Sequence, residues 1–551
     1  MKIRKKTIKY NIIIIICLAI VSCAKQIMPS GGPQDIDPPV MINATPAIAT
    51  TNFNSNKITI RFNEYIKLNN INQKLVISPP ISEKPKVLLS GKTIKISLKH
   101  QLLSPNTTYC FNFNDAIGDN NENNILNSFI YAFSTGDYID SLNFYGQVVD
   151  AFTKKPVENT WVLLHNNLAD SAFKQLQPNY ITKADKNGNF IIPFVADSEY
   201  KIYALVDGNY NCLFDLPTES IAFVDETLSP ANTINDSIEN IQNLKLLLFK
   251  ENTESQYVKS YKRIYDNYLQ IVFNSTQYEY YNIEVEDEEN AIIYAKENPD
   301  TVHVWLNNKN LISSDSVKIN LTYKDVIYPD SVRNENLKFR KPEKTYNTKF
   351  SDIKADFTEL PSQNILITVD KPIKSFDSTK LKIELKQDSV YHETDFLLQH
   401  DSVNPCRLIC YINEIENSEY RLSIDTAFIT DICDLYNKTE SLNIKSSSAE
   451  NFGNLRINIE IDSKYNIVQL LQSDKVIVEK CIDTNYVDFK YLVQGKYRIR
   501  LIEDFNNNKR WDTGNFDKKI QPEPVHYYQS EYDVKSNWNH EIDWKIGNII
   551  R

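Results

Sequence analysis

Apolar and polar residues alternate in short runs along most of this chain. Ile58-Thr59-Ile60-Arg61-Phe62 and Lys92-Thr93-Ile94-Lys95-Ile96-Ser97-Leu98 repeat with a period of two, which puts the apolar side chains on one face of an extended strand. Further strand-like runs follow at Thr107 to Phe113, Tyr145 to Asp150, Trp161 to Leu164, Glu199 to Leu205, Leu269 to Phe273 and Ile365 to Val369. Clusters of turn-forming residues separate them, so the pattern predicts strands packed in β-sandwiches. The predicted class is all-β. The pattern changes at the amino terminus, where residues 1 to 9 are basic and Ile12 to Val21 is unbroken apolar sequence. A helix of that length reaches about 15 Å, half of a ~30 Å hydrocarbon core, which predicts a signal-peptide core and not a membrane span.

Length sets the number of units. At roughly 150 residues per domain, 551 residues make about four domains, or five if they are small. Lys and Arg number 61 against 71 Asp and Glu, a net charge of -10. Five of the basic groups (Lys2, Arg4, Lys5, Lys6, Lys9) lie in the signal segment, so the remainder stands near -15, which argues against a nucleic-acid partner. Glycine numbers only 12, about 2% against a usual ~7%. Neither GxGxxG nor GxxxxGK followed by Ser or Thr occurs, which removes phosphate-cradling chemistry. Seven scattered histidines without HExxH, and no GxSxG, leave zinc hydrolases and α/β-hydrolases without a motif. Cys110, Cys212, Cys406, Cys410, Cys433 and Cys481 read as buried free thiols, with a disulfide among Cys406, Cys410 and Cys433 permitted.

The apolar run ends in Ile20-Val21-Ser22-Cys23. This resembles the lipobox of bacterial lipoproteins, whose Cys thiol takes a diacylglycerol before the signal (residues 1–22) is cut away and the new amino terminus is acylated. The resemblance implies lipid attachment at Cys23, and two or three acyl chains at ~0.8 kcal/mol per buried CH₂ anchor a protein permanently. Ala24, in place of Asp, is similar to lipoproteins sent on to the outer membrane. Whether the chain faces the periplasm or the surface stays open. Residues 23–39, with Pro29, Gly31, Gly32, Pro33, Pro38 and Pro39, read as a tether.

Residues 40–137 contain RFNEYIKLNN, VISPP at Val76 to Pro80, LSPNTTYCFNFNDAIGDNNENN and YAFSTG. These resemble the bacterial Ig-like domain first described in S-layer proteins, which implies a non-catalytic module for display and adhesion. Residues 141–250 carry Tyr145-Gly146-Gln147-Val148-Val149-Asp150, then Asp185-Lys186-Asn187-Gly188-Asn189-Phe190, then Tyr200 to Leu205. The set is similar to the carboxypeptidase regulatory-like, transthyretin-like sandwich, and Asn187-Gly188 is a strong hairpin signal. Residues 451–551 repeat this unit, Tyr200 to Asn211 aligning with Tyr497 to Asn508 at a constant offset of 297. Residues 255–343 and 344–447 read as two more sandwiches, so the units are expected to follow one another as beads on the tether.

Candidate chemistry concentrates in the repeat. Asp504, Asn506, Asn508 and Asp512, and before them Asp207, Asn209, Asn211 and Asp215, place oxygen ligands at positions 1, 3, 5 and 9 of a tight loop. Such a spacing suits Ca²⁺. Lys509 and Asn515 stand where an EF-hand has Gly and Glu, and the simpler reading is that these side chains cap a turn. Aromatic stretches at Tyr278 to Tyr281, at Tyr527-Tyr528 and from Trp538 to Trp544 suit either sugar stacking or cladding of a core. The expected protein is a non-enzymatic outer-membrane lipoprotein that presents its modules for adhesion, ligand binding or envelope scaffolding. Its expected partners are the outer membrane, through the lipid, and an unidentified protein or glycan. The alternative is a carbohydrate- or peptidoglycan-acting hydrolase with its site in residues 255–450.

Overall fold

The computed structural model describes residues 35–547 apart from 128, 231–243, 254, 276–277, 296–299, 326–331, 343–348, 358–363 and 414. The signal segment, Cys23 and most of the tether lie outside the described residues. The rest is strand and turn with a few helices of about one turn, such as Ala172–Gln175 and Lys309–Ser313. None of the described helices is long and apolar enough to cross a membrane.

The alternation in the sequence becomes burial. In Lys57–Phe62 the buried positions are Ile58, Ile60 and Phe62. They meet Tyr109, Phe111, Tyr131 and Phe133 of the facing sheet in the first core. Each such side chain contributes roughly 1.5–3 kcal/mol of burial free energy. Four further cores are each drawn from one stretch: around Val148 and Ile202, around Leu269 and Ile319, around Ile367 and Leu422, and around Ile457 and Ile499. For convenience these are the first to fifth units.

The second and fifth units have the same strand order. In the second, Asn189–Val195, Leu142–Asp150 and Lys245–Lys250 form one side, and Tyr180–Lys183, Trp161–His165, Lys201–Val206 and Ser220–Phe223 form the other. Leu142–Asp150 pairs with Lys245–Lys250 in parallel, and all the other pairings are antiparallel. In the fifth, Tyr486–Val493, Phe452–Glu460 and Asn539–Lys545 correspond to the first side, again with one parallel pair. Lys475–Ile482, Asn466–Gln472, Gly495–Glu503 and Val525–Tyr527 correspond to the second. The expected hairpin at Asn187-Gly188 does not form. Asp185 caps a tight turn there, accepting from the Asn187 and Asn189 N–H groups at 2.8 Å each, but the flanking strands pair in opposite sheets. The local turn chemistry is right, and the tertiary pairing of both strands overrides the hairpin.

The units are not a plain string of beads. The second touches the first, where the buried Ser78 Oγ accepts from the Ile181 N–H at 2.9 Å. It also touches the fifth, about 300 residues further along the chain: Phe516 joins Phe173, Tyr203, Phe214 and Phe223 in one apolar cluster. A smaller cluster of Tyr294, Trp305, Cys406 and Ile432 links the third unit to the fourth.

Candidate functional site

The two Asp/Asn loops follow matching strands and are wired alike. Asp207 accepts from the N–H groups of Asn209, Tyr210, Asn211 and Cys212, at 2.6 to 3.3 Å. Asn209 and Asn211 turn their amides onto the carboxylate of Asp215, at 3.0 and 2.7 Å. In the later copy Asp504 accepts from Asn508 and Lys509, at 3.0 and 2.8 Å. Asn506 and Asn508 both donate to Asp512 at 2.6 Å. Each loop also rests on a buried glutamate that sequence reading missed. Glu219 accepts from the Gly208 and Asp215 N–H groups, and Glu523 from those of Phe505 and Asp512. Burial pushes Glu523 up to about 7 against those two N–H bonds, helped by the charges of Asp512 and Asp504. The spacing hid the glutamates: Glu219 follows Asp215 by four residues and Glu523 follows Asp512 by eleven. Among the described residues no group of three or more His, Cys, Asp or Glu is placed to hold a metal ion. The turn of the first unit uses the same device, with Asp119 accepting from the N–H groups of residues 121 to 124.

The seven extra residues in the later loop build a seam. They carry Phe516, whose ring stands edge-on to Phe173 and Phe223 at 5.4 Å and to Tyr203 at 5.9 Å. Around it, Thr513 Oγ1 donates to the Lys250 carbonyl at 2.7 Å and Gln521 Nε2 to the Phe223 carbonyl at 3.1 Å. The Phe516 N–H donates to Glu251 Oε1 at 2.5 Å. Lys174 pairs with Asp517 at 2.5 Å and Lys519 with Asp170 at 2.8 Å. Gly514 permits the approach, since a Cβ there would lie 2.5 Å from the Phe249 ring and 2.7 Å from the Ile520 carbonyl oxygen. In return Phe152 of the second unit packs on Trp511 at 4.9 Å and beneath the Arg500 guanidinium at 4.3 Å. Below the seam lies His165, buried edge-on to Phe173 and Tyr203. Its Nε2 has no hydrogen-bond partner, and burial pulls it down to about 4.

The seam between the third and fourth units is different, because it leaves a cleft of about 330 Å³. One wall is the outward sheet face of the third unit. There Tyr268 stacks on Trp305 at 4.5 Å, Tyr294 stacks on His303 at 5.2 Å, and the Tyr268 hydroxyl meets His303 Nδ1 at 2.6 Å. The other wall comes from the fourth unit and includes Lys349, Ser351, Asp370 and Lys371. Lys371 is buried, pairs with Asp431 at 3.1 Å and donates to the Lys349 carbonyl at 3.1 Å, which fixes that wall. In the sequence His303 is one of seven scattered histidines, and nothing there brings it together with these aromatics.

Other expected residues fall elsewhere. Tyr281 and Tyr528 pack against cores, and Tyr527 lies under Arg498. Trp538 stacks on His540 and stays 60% exposed. The described cysteines are free, with Cys110, Cys406 and Cys410 buried. Cys481 departs from the expectation: it is exposed, on a strand that pairs along one side alone.

Residues 35–135 match the family model of the bacterial Ig-like domain. No curated protein matches. Among solved structures, domains 1–6 of the surface layer protein SbsC align over 90% of this chain and 67% of theirs, at 10% identity and a TM-score of 0.15. BcpA, the major pilin subunit of Bacillus cereus, aligns over 74% of this chain and 99% of its own, at 8% identity and a TM-score of 0.12. A tetra-tandem repeat in the extending region of a large adhesion protein aligns over 71% and 99%, at 10% identity and a TM-score of 0.13. Likeness at these TM-scores carries no functional assignment.

Proposed function

We propose that this chain is a non-enzymatic lipoprotein of the outer membrane, held by acyl chains on Cys23, that presents β-sandwich modules to a protein or glycan. The observation that carries this reading is the order of features. A basic segment, a short apolar run and Ile20-Val21-Ser22-Cys23 precede a tether, and the Ig-like unit at residues 35–135 follows. The second and fifth units are read as transthyretin-like modules, on their shared strand order. The docking of one on the other supports a scaffold of fixed shape, since an interface stoppered by a buried aromatic resists hinge motion. The cleft between the third and fourth units supports the non-enzymatic reading over a glycoside hydrolase. Among the described residues its lining holds one carboxylate, Asp370, where such hydrolysis commonly uses a pair.

A second reading concerns the Asp/Asn loops and rests on Glu523. Burial is the main cause of its raised carboxyl and the charges of Asp512 and Asp504 add to it; a divalent cation relieves that repulsion, so Ca²⁺ uptake is the alternative to plain turn capping. Two experiments test the main reading. Radiolabelled palmitate should enter the chain and be lost in Cys23→Ser, and labelling that survives the substitution would refute the anchor. Protease shaving of intact cells should then degrade the modules if they face outward. Protection until the outer membrane is permeabilised would place them in the periplasm as an envelope scaffold.

A further inference from the structure

We infer that the cleft between the third and fourth units is a binding site for a neutral saccharide of one or two pyranose rings. A sandwich strand exposed on its outer face ordinarily carries polar side chains there. The outer face of the third unit instead carries Tyr268, Tyr294, His303 and Trp305, while Leu269, Ile271, Val302 and Val304 fill the core behind it. Packing of the fourth unit accounts for part of this face, where Cys406 and Ile432 cover Tyr294 and Trp305. The remainder borders an opening of about 330 Å³. That volume lies at the lower end of ligand sites, roughly 300–1,000 Å³, and such sites favour the seams between domains.

The walls define the ligand. A pyranose ring has two faces of C–H bonds and a rim of hydroxyls. The faces match rings such as Tyr265 and Tyr268 on the third-unit wall, and the rim matches hydrogen-bonding groups set at the edge. Lys349 and Asp370, both exposed at the mouth, supply one donor and one acceptor of opposite charge, a pair that suits hydroxyls and gives no net attraction to an anion or a cation. The Lys371 ammonium is already neutralised by Asp431, so the described lining offers no surplus charge for a phosphate or an acidic peptide. The site deepens the ligand-binding part of the proposed function and rests on it. Palmitate labelling and shaving test anchoring and display separately, so failure of sugar binding leaves those results standing.

The test is saturation-transfer NMR and calorimetry on the full chain with cellobiose and with N,N′-diacetylchitobiose, and with adenosine as a flat aromatic control. The expected result is transfer to ring C–H protons of a disaccharide with millimolar affinity, weakened about fivefold in Tyr265→Ala. Asp370→Asn, which replaces an exposed group, should weaken binding with an unchanged melt and serves where Tyr265→Ala perturbs folding. Absence of transfer to either sugar at about 10 mM overturns the inference. So does transfer of equal strength in both variants, or binding of adenosine alone.

Discussion

The two seams of this molecule use the same material to different ends. Each begins as an outward sheet face bearing aromatic side chains, Tyr203 and Phe223 in the second unit and Tyr268 and His303 in the third. In the first case a short insertion in the fifth unit delivers Phe516 into the face and surrounds it with hydrogen bonds and ion pairs. In the second the neighbouring unit covers part of the face and leaves a cleft whose far wall is charged. An aromatic face filled by the protein itself is a joint, and one left partly open has the chemistry of a receptor.

The largest effect is expected at the joint. Phe516→Ala removes a buried ring and should destabilise the second and fifth units by about 3–5 kcal/mol, read as a lowered calorimetric transition and new protease cuts between residues 505 and 524. Gly514→Ala should act in the same direction by forcing the Phe249 ring aside. Acid should also loosen this seam. His165 is held neutral by burial, with its folded value near 4 against about 6.5 unfolded. Its contribution is therefore complete above pH 6.5 and is lost as the pH falls toward 4, by about 3 kcal/mol in all. Denaturation across that range should show the loss, and His165→Leu should flatten it. Lys174→Ala breaks a half-exposed ion pair and should cost less than ~1 kcal/mol. The smallest expected effect is that of millimolar Ca²⁺, because plain turn capping predicts an unchanged melt. A rise of several degrees, abolished in Asp504→Ala with Asp512→Ala, would replace turn capping by the cation reading.

Sequence alone revealed the strands where one face is buried. Ile58, Ile60 and Phe62 are core residues because a period of two is a local property. It did not reveal that the second and fifth units dock, although a signal was present. Ile202 to Leu205 is apolar at every position, and all four residues are buried. Asn466–Gln472 is likewise buried along almost its whole length. Strands buried on both faces need a cover on each, but periodicity names no partner. The insertion that supplies it sits between Asp512 and Glu523, and it becomes recognisable only when Glu523 is aligned with Glu219 across loops of unequal length. The cleft was missed for a related reason. Its aromatics Tyr265, Tyr268, Tyr294, His303 and Trp305 are dispersed over four strands, whereas the clustered aromatics that stand out in the sequence largely serve cores. The Asp/Asn spacing was legible as a repeat, and Asp207 and Asp504 both accept from the backbone N–H groups four and five residues further on.

The central claim is that the second and fifth units form one body. Spin labels at Lys174→Cys and Asp517→Cys, with the exposed Cys481 replaced by Ser, measure it directly by double electron–electron resonance in the full chain. The account predicts a single narrow peak at short distance. A broad distribution extending to long distances would show independent beads and contradict it.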